Sequence, residues 1–385
     1  MNFNFKYAFF ACLNLLIVSC SDDNNNTPTS KVSKKEVIEN YANIVLQNYK
    51  DALKDAQALE TAIAIFTTTP TQENFTTAKA AWKTSRESYG TTEAFRFYNG
   101  PIDNTETGPE GLINSWPLDE NYIDYVEGAA NAGIINTPTV YPVINKEILI
   151  DANQKGDVEK NVAVGYHAIE FLLWGQDLTA PSEKKAGQRA YTDYTTKTNA
   201  DRRKQYLNVC AALLTDHLQL MVDAWTGSYK TSFLSLSENI ALKNIFTGIA
   251  VLTNSELKGE RIFTAYDNKN QEDEHSCFSD NTDRDIRLNL DGIINVYKGS
   301  YKNSNGPSLE DLVNEANPVL GAEISTAIST AYTTINNTAS PFDFAITDTT
   351  ERTKIVIAIN ALNDLGKNKF SEAATAIGIK ISSQI

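Results

Sequence analysis

The run GYHAIEFLLWGQD, residues 165–177, is the stretch from which the rest of the chain is best read. His167 and Glu170 stand three apart, so on a helix both side chains leave one face. Their neighbours Ala163, Val164, Phe171 and Trp174 are apolar, and a carboxylate in such company is costly without a partner. Gly165, two residues before His167, leaves room for another backbone or a ligand to come close. Asp157 is a plausible N-cap and the Trp174-Gly175 pair a stop, which predicts a helix over about 157–173. An imidazole and a carboxylate on one apolar face have two uses. They form a two-point ligand pair for a borderline divalent or ferric metal, or a buried hydrogen-bonded pair that only holds helices together.

Outward from this run the chain reads as helices and loops. Ser33 and Glu36 have capping-box form ahead of Val37, Ile38, Tyr41, Ile44, Val45 and Tyr49 at helical spacing. Thr69-Pro70 and Gln72 suggest a second start, with a helix through Trp82 and Tyr89 to about Tyr98, stopped by Asn99 and Gly100-Pro101. Residues 99–118 then form a long loop holding Trp116, of a length more often functional than connective. Further helices are predicted at about 119–130, 200–226, 237–267, 281–298, 309–337 and 349–378. This pattern predicts an all-α chain built as bundles, with a boundary between two halves near 227–237.

The ends carry different information. Residues 1–19 have the order of a secretory signal: Lys6, an apolar run from Ala8 to Val18, then a small residue before Cys20. Ile17-Val18-Ser19-Cys20 resembles a lipobox, so Cys20 is the expected lipid attachment point and residues 20–31 a polar tether. Asp22 and Asp23 resemble the export signal of surface lipoproteins in Bacteroidetes. The expected place is the cell envelope, lipid-anchored to the outer membrane on its periplasmic side or at the cell surface. A net charge of −14 and a pI near 4.8 argue against nucleic acid as a partner. Cys12 leaves with the signal, so only Cys210 and Cys277 are left to pair.

Two other histidines need separate readings. His217, in CAALLTDHLQLMVDAW, reads as a packing or surface residue. His275 lies in QEDEHSCFSDNTDRD, residues 271–285, which is either an acidic metal-attracting rim or the capping chemistry of a helix start.

With these runs in view the resemblance becomes specific. GYHAIEFLLWG resembles the Gly-x-His-x-x-Glu signature of the imelysin-like family, also classed as imelysin peptidases. AWKTSRESYGTTEAFRFYNGPID at 81–103, SWPLD at 115–119 and DEHSCFSDNT at 273–282 stand around it in family order. Together they span roughly residues 36–380, within a body expected over 32–380. The resemblance implies two four-helix-bundle-like units packed together, with a functional groove between them. It makes His167 and Glu170 the metal residues, and Glu93, Arg96, Asp119, His275, Ser276 and Asp280 candidates for the groove lining. Family members often carry a histidine where this chain has Asp283, so no third histidine ligand stands there.

The peptidase label finds little support in the letters. There is no HExxH, the inverse HxxEH fails because Phe171 follows Glu170, and there is no GxSxG elbow. Ser276 beside His275 is not a triad, and diiron bundles need Glu-x-x-His twice. The favoured expectation is a lipoprotein binding a metal, iron ahead of zinc or copper, or a small iron-bearing ligand, in line with the family's association with iron-regulated uptake. A metallopeptidase and a purely structural envelope protein are the alternatives.

Overall fold

A computed structural model describes residues 31–381. The signal segment, Cys20 and all of the tether but Lys31 lie outside the described residues. Ser33 opens the first helix, Lys34–Thr68: its hydroxyl accepts from the Glu36 amide and the Glu36 carboxylate accepts from the Ser33 amide. Tyr41, Val45, Tyr49, Ala52, Ala56, Leu59, Ile63 and Phe66 recur along one face and are buried. That face packs against the helices Gln72–Tyr89 and Ala200–Thr226. Each large apolar side chain so buried contributes about 1.5–3 kcal/mol.

Among the described residues the chain is all-α apart from one small hairpin pairing Ser300–Tyr301 with Ser304–Asn305. Several predicted ends are corrected, each for a local reason. The second helix is capped by Thr71, because the Thr69 amide is spent closing the first helix on the Ile65 carbonyl. It tightens to 3-10 winding over Gly90–Phe95 and stops there, not at Tyr98, as Arg96 turns extended. The helix predicted over 119–130 is one turn, Glu120–Ile123. Asp124 leaves it because its buried carboxylate is claimed by Arg189 and Arg203. The helix predicted from Asp157 starts only at Tyr166. Before it, Ala163 gives its amide to the Asn153 side chain and its carbonyl to the Tyr206 hydroxyl, so helical bonds are not needed. The helix predicted over 309–337 is two, Leu309–Ala316 and Pro318–Asn336, since Pro318 bars its predecessor from helical winding.

The helix predicted over 237–267 runs from Glu238 to Asn268, but its middle, Leu252–Phe263, is wound wide, with amides reaching five residues back. The Thr253 hydroxyl takes the Ile249 carbonyl inside it, which loosens the ordinary ladder. The stretch near 227–237, expected as the boundary between halves, holds a short helix, Ser228–Leu234. Its Phe233 is buried against Tyr41 and Trp225, and the described residues from Val32 onward form one compact unit. Helix Thr282–Lys298 meets the 3-10 turn at Gly292, where a Cβ would stand 2.4 Å from the Thr91 carbonyl oxygen. That contact seats Glu93 against the rest of the site. Cys210 and Cys277 are both buried and free. Among the described residues no helix is long and apolar enough to cross a membrane.

Candidate functional site

The nine-residue helix Tyr166–Trp174 is buried on every side, and donors from elsewhere tie its carbonyls into the surrounding fold. The Trp82 indole donates to the Tyr166 carbonyl (2.9 Å), the Tyr194 hydroxyl to the Leu172 carbonyl (2.6 Å) and the Arg189 amide to the Trp174 carbonyl (2.8 Å). Gly165 starts it at φ +90°, with a Cβ position only 2.6 Å from the Ile113 carbonyl oxygen. The close approach expected at this glycine is therefore made by backbone from the Trp116 loop.

On this helix His167 Nδ1 and Glu170 Oε2 lie 2.9 Å apart, both side chains fully buried. The other oxygen, Oε1, accepts from the Ser279 amide (2.9 Å) and the Ser279 hydroxyl (2.7 Å). Glu170 thus spends both oxygens on protein groups and acts on His167, while His167 Nε2 has no partner at all. Burial, with His275 and Arg86 adding to it, holds the His167 imidazole well below its usual pKa, so the ring is neutral. Burial pushes the Glu170 carboxyl up to about 8 against the pull of Ser279. When Glu170 is ionised, Nδ1 carries the proton and Nε2 is left with a free lone pair, the form in which an imidazole binds metal.

The His275 ring stands edge-on to His167 with centroids 4.5 Å apart, and Trp116 closes over both at 5.1 and 6.3 Å. Burial and then Arg261 bring His275 down to about 4. Its Nδ1 lies 3.7 Å from Asp285 Oδ2, too far for a hydrogen bond. Asp285 is held from the other side by Arg86 (3.1 and 3.0 Å) and by the Ser276 hydroxyl, so Ser276 serves the buried acid. Burial works against ionisation of Asp285, but Arg86 overcomes it and keeps the acid charged.

Glu93 does not reach open space either. Arg261 (2.6 Å), Arg96 (2.7 Å) and Asn114 (3.4 Å) take its oxygens. Burial raises its pKa, but the two guanidiniums outweigh that and hold it well below the usual range. Arg96 continues to Glu110 at 3.1 Å.

Above these groups opens a cleft of about 800 Å³. Glu110, Asp119, Glu120, Glu159, Glu256, Glu260, Glu272 and Asp273 line it, against Arg96, Lys160 and Arg261, with His275 and Trp116 at its wall. Burial and the neighbouring Glu120 push Glu272 up to about 7, and burial raises Glu120 as well. Such a surface attracts cations.

Of the residues named from sequence, then, His167, Glu170, His275 and Ser276 meet in one place, and Arg96 and Asp119 line the cleft. Asp119 also caps its short helix by accepting from the Asn121 amide. Glu93 sits behind the cleft in its arginine cluster. Asp280 belongs elsewhere, beside Asp177 and Asp343. His217 is a buried packing residue. Arg86 and Arg261 went unread, and Ser279 and Asp285 were read only within the polar run at 271–285, because each is a polar letter on an ordinary helix or loop until folding pairs it. The donors present suit a metal: two neutral imidazoles beside an acidic cleft, each with an unpartnered buried nitrogen. Among the described residues, however, three His, Cys or acidic donor atoms come mutually close only at Asp177, Asp280 and Asp343.

Comparison with known proteins adds independent findings. The sequence model of the imelysin family matches residues 45–368. Iron-regulated protein A of Synechococcus elongatus is 26% identical over 302 residues, which cover 75% of this chain and 71% of that protein. A crystal structure described as an iron-regulated protein A precursor from Parabacteroides distasonis superposes with a TM-score of 0.69 at 20% identity, over 91% of this chain and 97% of the other. An imelysin-like protein from Psychrobacter arcticum gives 0.63 at 13% identity, over 91% and 98%. Both likenesses show the fold.

Proposed function

The chain belongs to the imelysin family, and on that premise we propose that it is a lipid-anchored cell-envelope protein that captures iron borne by a small ligand, rather than a peptidase. One observation carries the reading: His167 Nε2 is a buried ring nitrogen with no partner, on an imidazole whose other nitrogen is oriented by Glu170. A carboxylate behind a histidine is the arrangement that fixes a metal-binding tautomer. His167 and His275 supply the protein's nitrogen donors, Glu170 orients His167, and the acidic cleft draws the cation in. Bound iron offers several coordination positions, and two imidazoles leave most of them to the incoming ligand. The cleft volume lies within the range of small-molecule sites. The relatives named as iron-regulated proteins make iron the first metal to try, ahead of zinc or copper.

The test is elemental analysis of untagged protein after separate exposure to ferric citrate, zinc and copper. Retained iron that is lost in His167→Ala and His275→Ala, with helical circular dichroism unchanged, supports capture. Iron retention equal in all three proteins removes the site. Turnover of casein that a chelator abolishes and added metal restores gives the site to a metallopeptidase. Collapse of both variants without any metal effect makes the His167–Glu170 pair structural.

A further inference from the structure

Away from the cleft, three segments distant in sequence bring acids together. Asp177 lies in the loop after Gly175, Asp280 in the loop before helix Thr282–Lys298, and Asp343 in the short helix Phe342–Thr347. One carboxylate oxygen from each falls within 4.8 Å of the other two. Asp177 and Asp343 are each only 2% exposed. Asp177 Oδ1 accepts from the Thr179 amide (3.0 Å) and hydroxyl (2.8 Å), and Asp343 Oδ1 from the Phe344 amide (2.6 Å). The second oxygen of each, Oδ2, is buried and has no partner. Among the described residues no lysine or arginine comes within ion-pair distance of any of the three; Lys184 and Lys83 act on Asp343 and Asp280 only from farther off.

Buried carboxylates need a counter-charge, a proton or a metal ion. Here the protein supplies no counter-charge. Burial, then repulsion from Asp343, pushes Asp280 up to about 7; burial likewise raises Asp343 to about 6 and Asp177 above its usual range. The donors are all oxygen, which selects hard cations and disfavours zinc or copper. Three oxygens no more than 4.8 Å apart leave a common point within about 2.8 Å of each, which a small inward movement brings to the calcium range of about 2.3–2.6 Å; magnesium asks for a tighter shell.

We infer that Asp177, Asp280 and Asp343 hold a hard divalent cation, calcium by preference, which staples three segments of the chain. The ion is separate from the iron proposed for the cleft, whose lining includes none of these residues. It also has a bearing on that cleft. Asp280 directly follows Ser279, whose amide and hydroxyl hold Glu170, so fixing Asp280 fixes the support of His167.

The experiment is calorimetric titration of chelator-stripped full-length protein with calcium and then magnesium, with thermal melts alongside. The expected result is one calcium per chain, a rise in melting temperature with calcium, and a smaller response to magnesium. Asp280→Asn should weaken binding by roughly tenfold or more, since affinity follows ligand charge. Asparagine tolerates the left-handed backbone there, at φ +54°, so this variant keeps its fold even if Asp343→Asn does not. His167→Ala should keep the calcium response. Absence of binding up to about 1 mM, the weak end of extracellular calcium sites, overturns the inference. So does binding unchanged in Asp280→Asn, or lost in His167→Ala. A melting temperature that rises toward acid pH and ignores calcium assigns the acids to protons and overturns it as well.

Discussion

Glu170→Gln separates orientation from stability in one substitution. Oε1 is already committed to two Ser279 donors, so the glutamine oxygen takes that place and its amide group faces His167 Nδ1. An amide can only donate there, which forces Nδ1 to accept and moves the ring proton to Nε2. The lone pair needed for a metal is gone, although shape and hydrogen-bond count are kept. Loss of an orienting carboxylate costs about 10–100-fold in metal affinity, or about 1.4–2.8 kcal/mol. Stability should move the other way. The Glu170 carboxyl sits at about 8 in the fold against 4.5 in the open chain, so the folded protein keeps a proton that the unfolded chain releases. That contribution is fully present below about pH 4.5 and is lost as pH rises to about 8, in total on the order of 3–5 kcal/mol. Glutamine has no proton to lose. The variant should therefore melt close to the wild type at pH 5 and above it at pH 8.5. It should bind iron more weakly at pH 8.5, where wild-type Glu170 is ionised, and the two affinities should draw together at pH 5, where either side chain donates to Nδ1. Iron titration and thermal melts at the two pH values decide it. Undiminished affinity at pH 8.5 would refute the tautomer argument, and a lower melting temperature at pH 8.5 would refute the burial argument.

Other outcomes follow from single features. Asp124→Asn should cost about 3–5 kcal/mol, because it leaves Arg189 and Arg203 buried without their acid. Burial opposes ionisation of Asp124, but both arginines hold it well below the usual range; its contribution is present above about pH 4 and lost as pH falls, so urea melts of the two proteins should converge in acid. Gly165→Ala combines a left-handed backbone with a clash against the Ile113 carbonyl and should lose about 2–4 kcal/mol by chemical denaturation; a change under about 0.5 kcal/mol would contradict it. Radiolabelled palmitate should mark the wild type and not Cys20→Ala, and equal labelling of both would remove the lipid anchor.

The long helices were legible because apolar spacing, caps and glycine or proline stops agree along them, as at Ser33 and Gly299. The segments 119–130 and 157–165 were not, because groups outside them decide their shape: Arg189 and Arg203 on the Asp124 carboxylate, Tyr206 and Asn153 on the Ala163 backbone. The same holds for the site. His167, Glu170 and His275 could be named from spacing and resemblance. Their division of labour could not, since Glu170 becomes a positioning group only when Ser279, more than a hundred residues on, closes over its second oxygen. Asp280 carried the right letter for a site and the wrong address.

The wide winding of Leu252–Phe263 also bears on which changes of length this chain could absorb. Glu256 and Arg261 are five apart and yet paired at 3.1 Å, a spacing that ordinary helical winding would leave on different faces. A descendant lacking one residue between them could wind as a plain α-helix and still keep acid and guanidinium together, at spacing four. The same deletion in an ordinary stretch of helix would turn everything beyond it by about 100°. A single-residue gap between these two positions is therefore the length change the cleft wall can absorb with its charges in place.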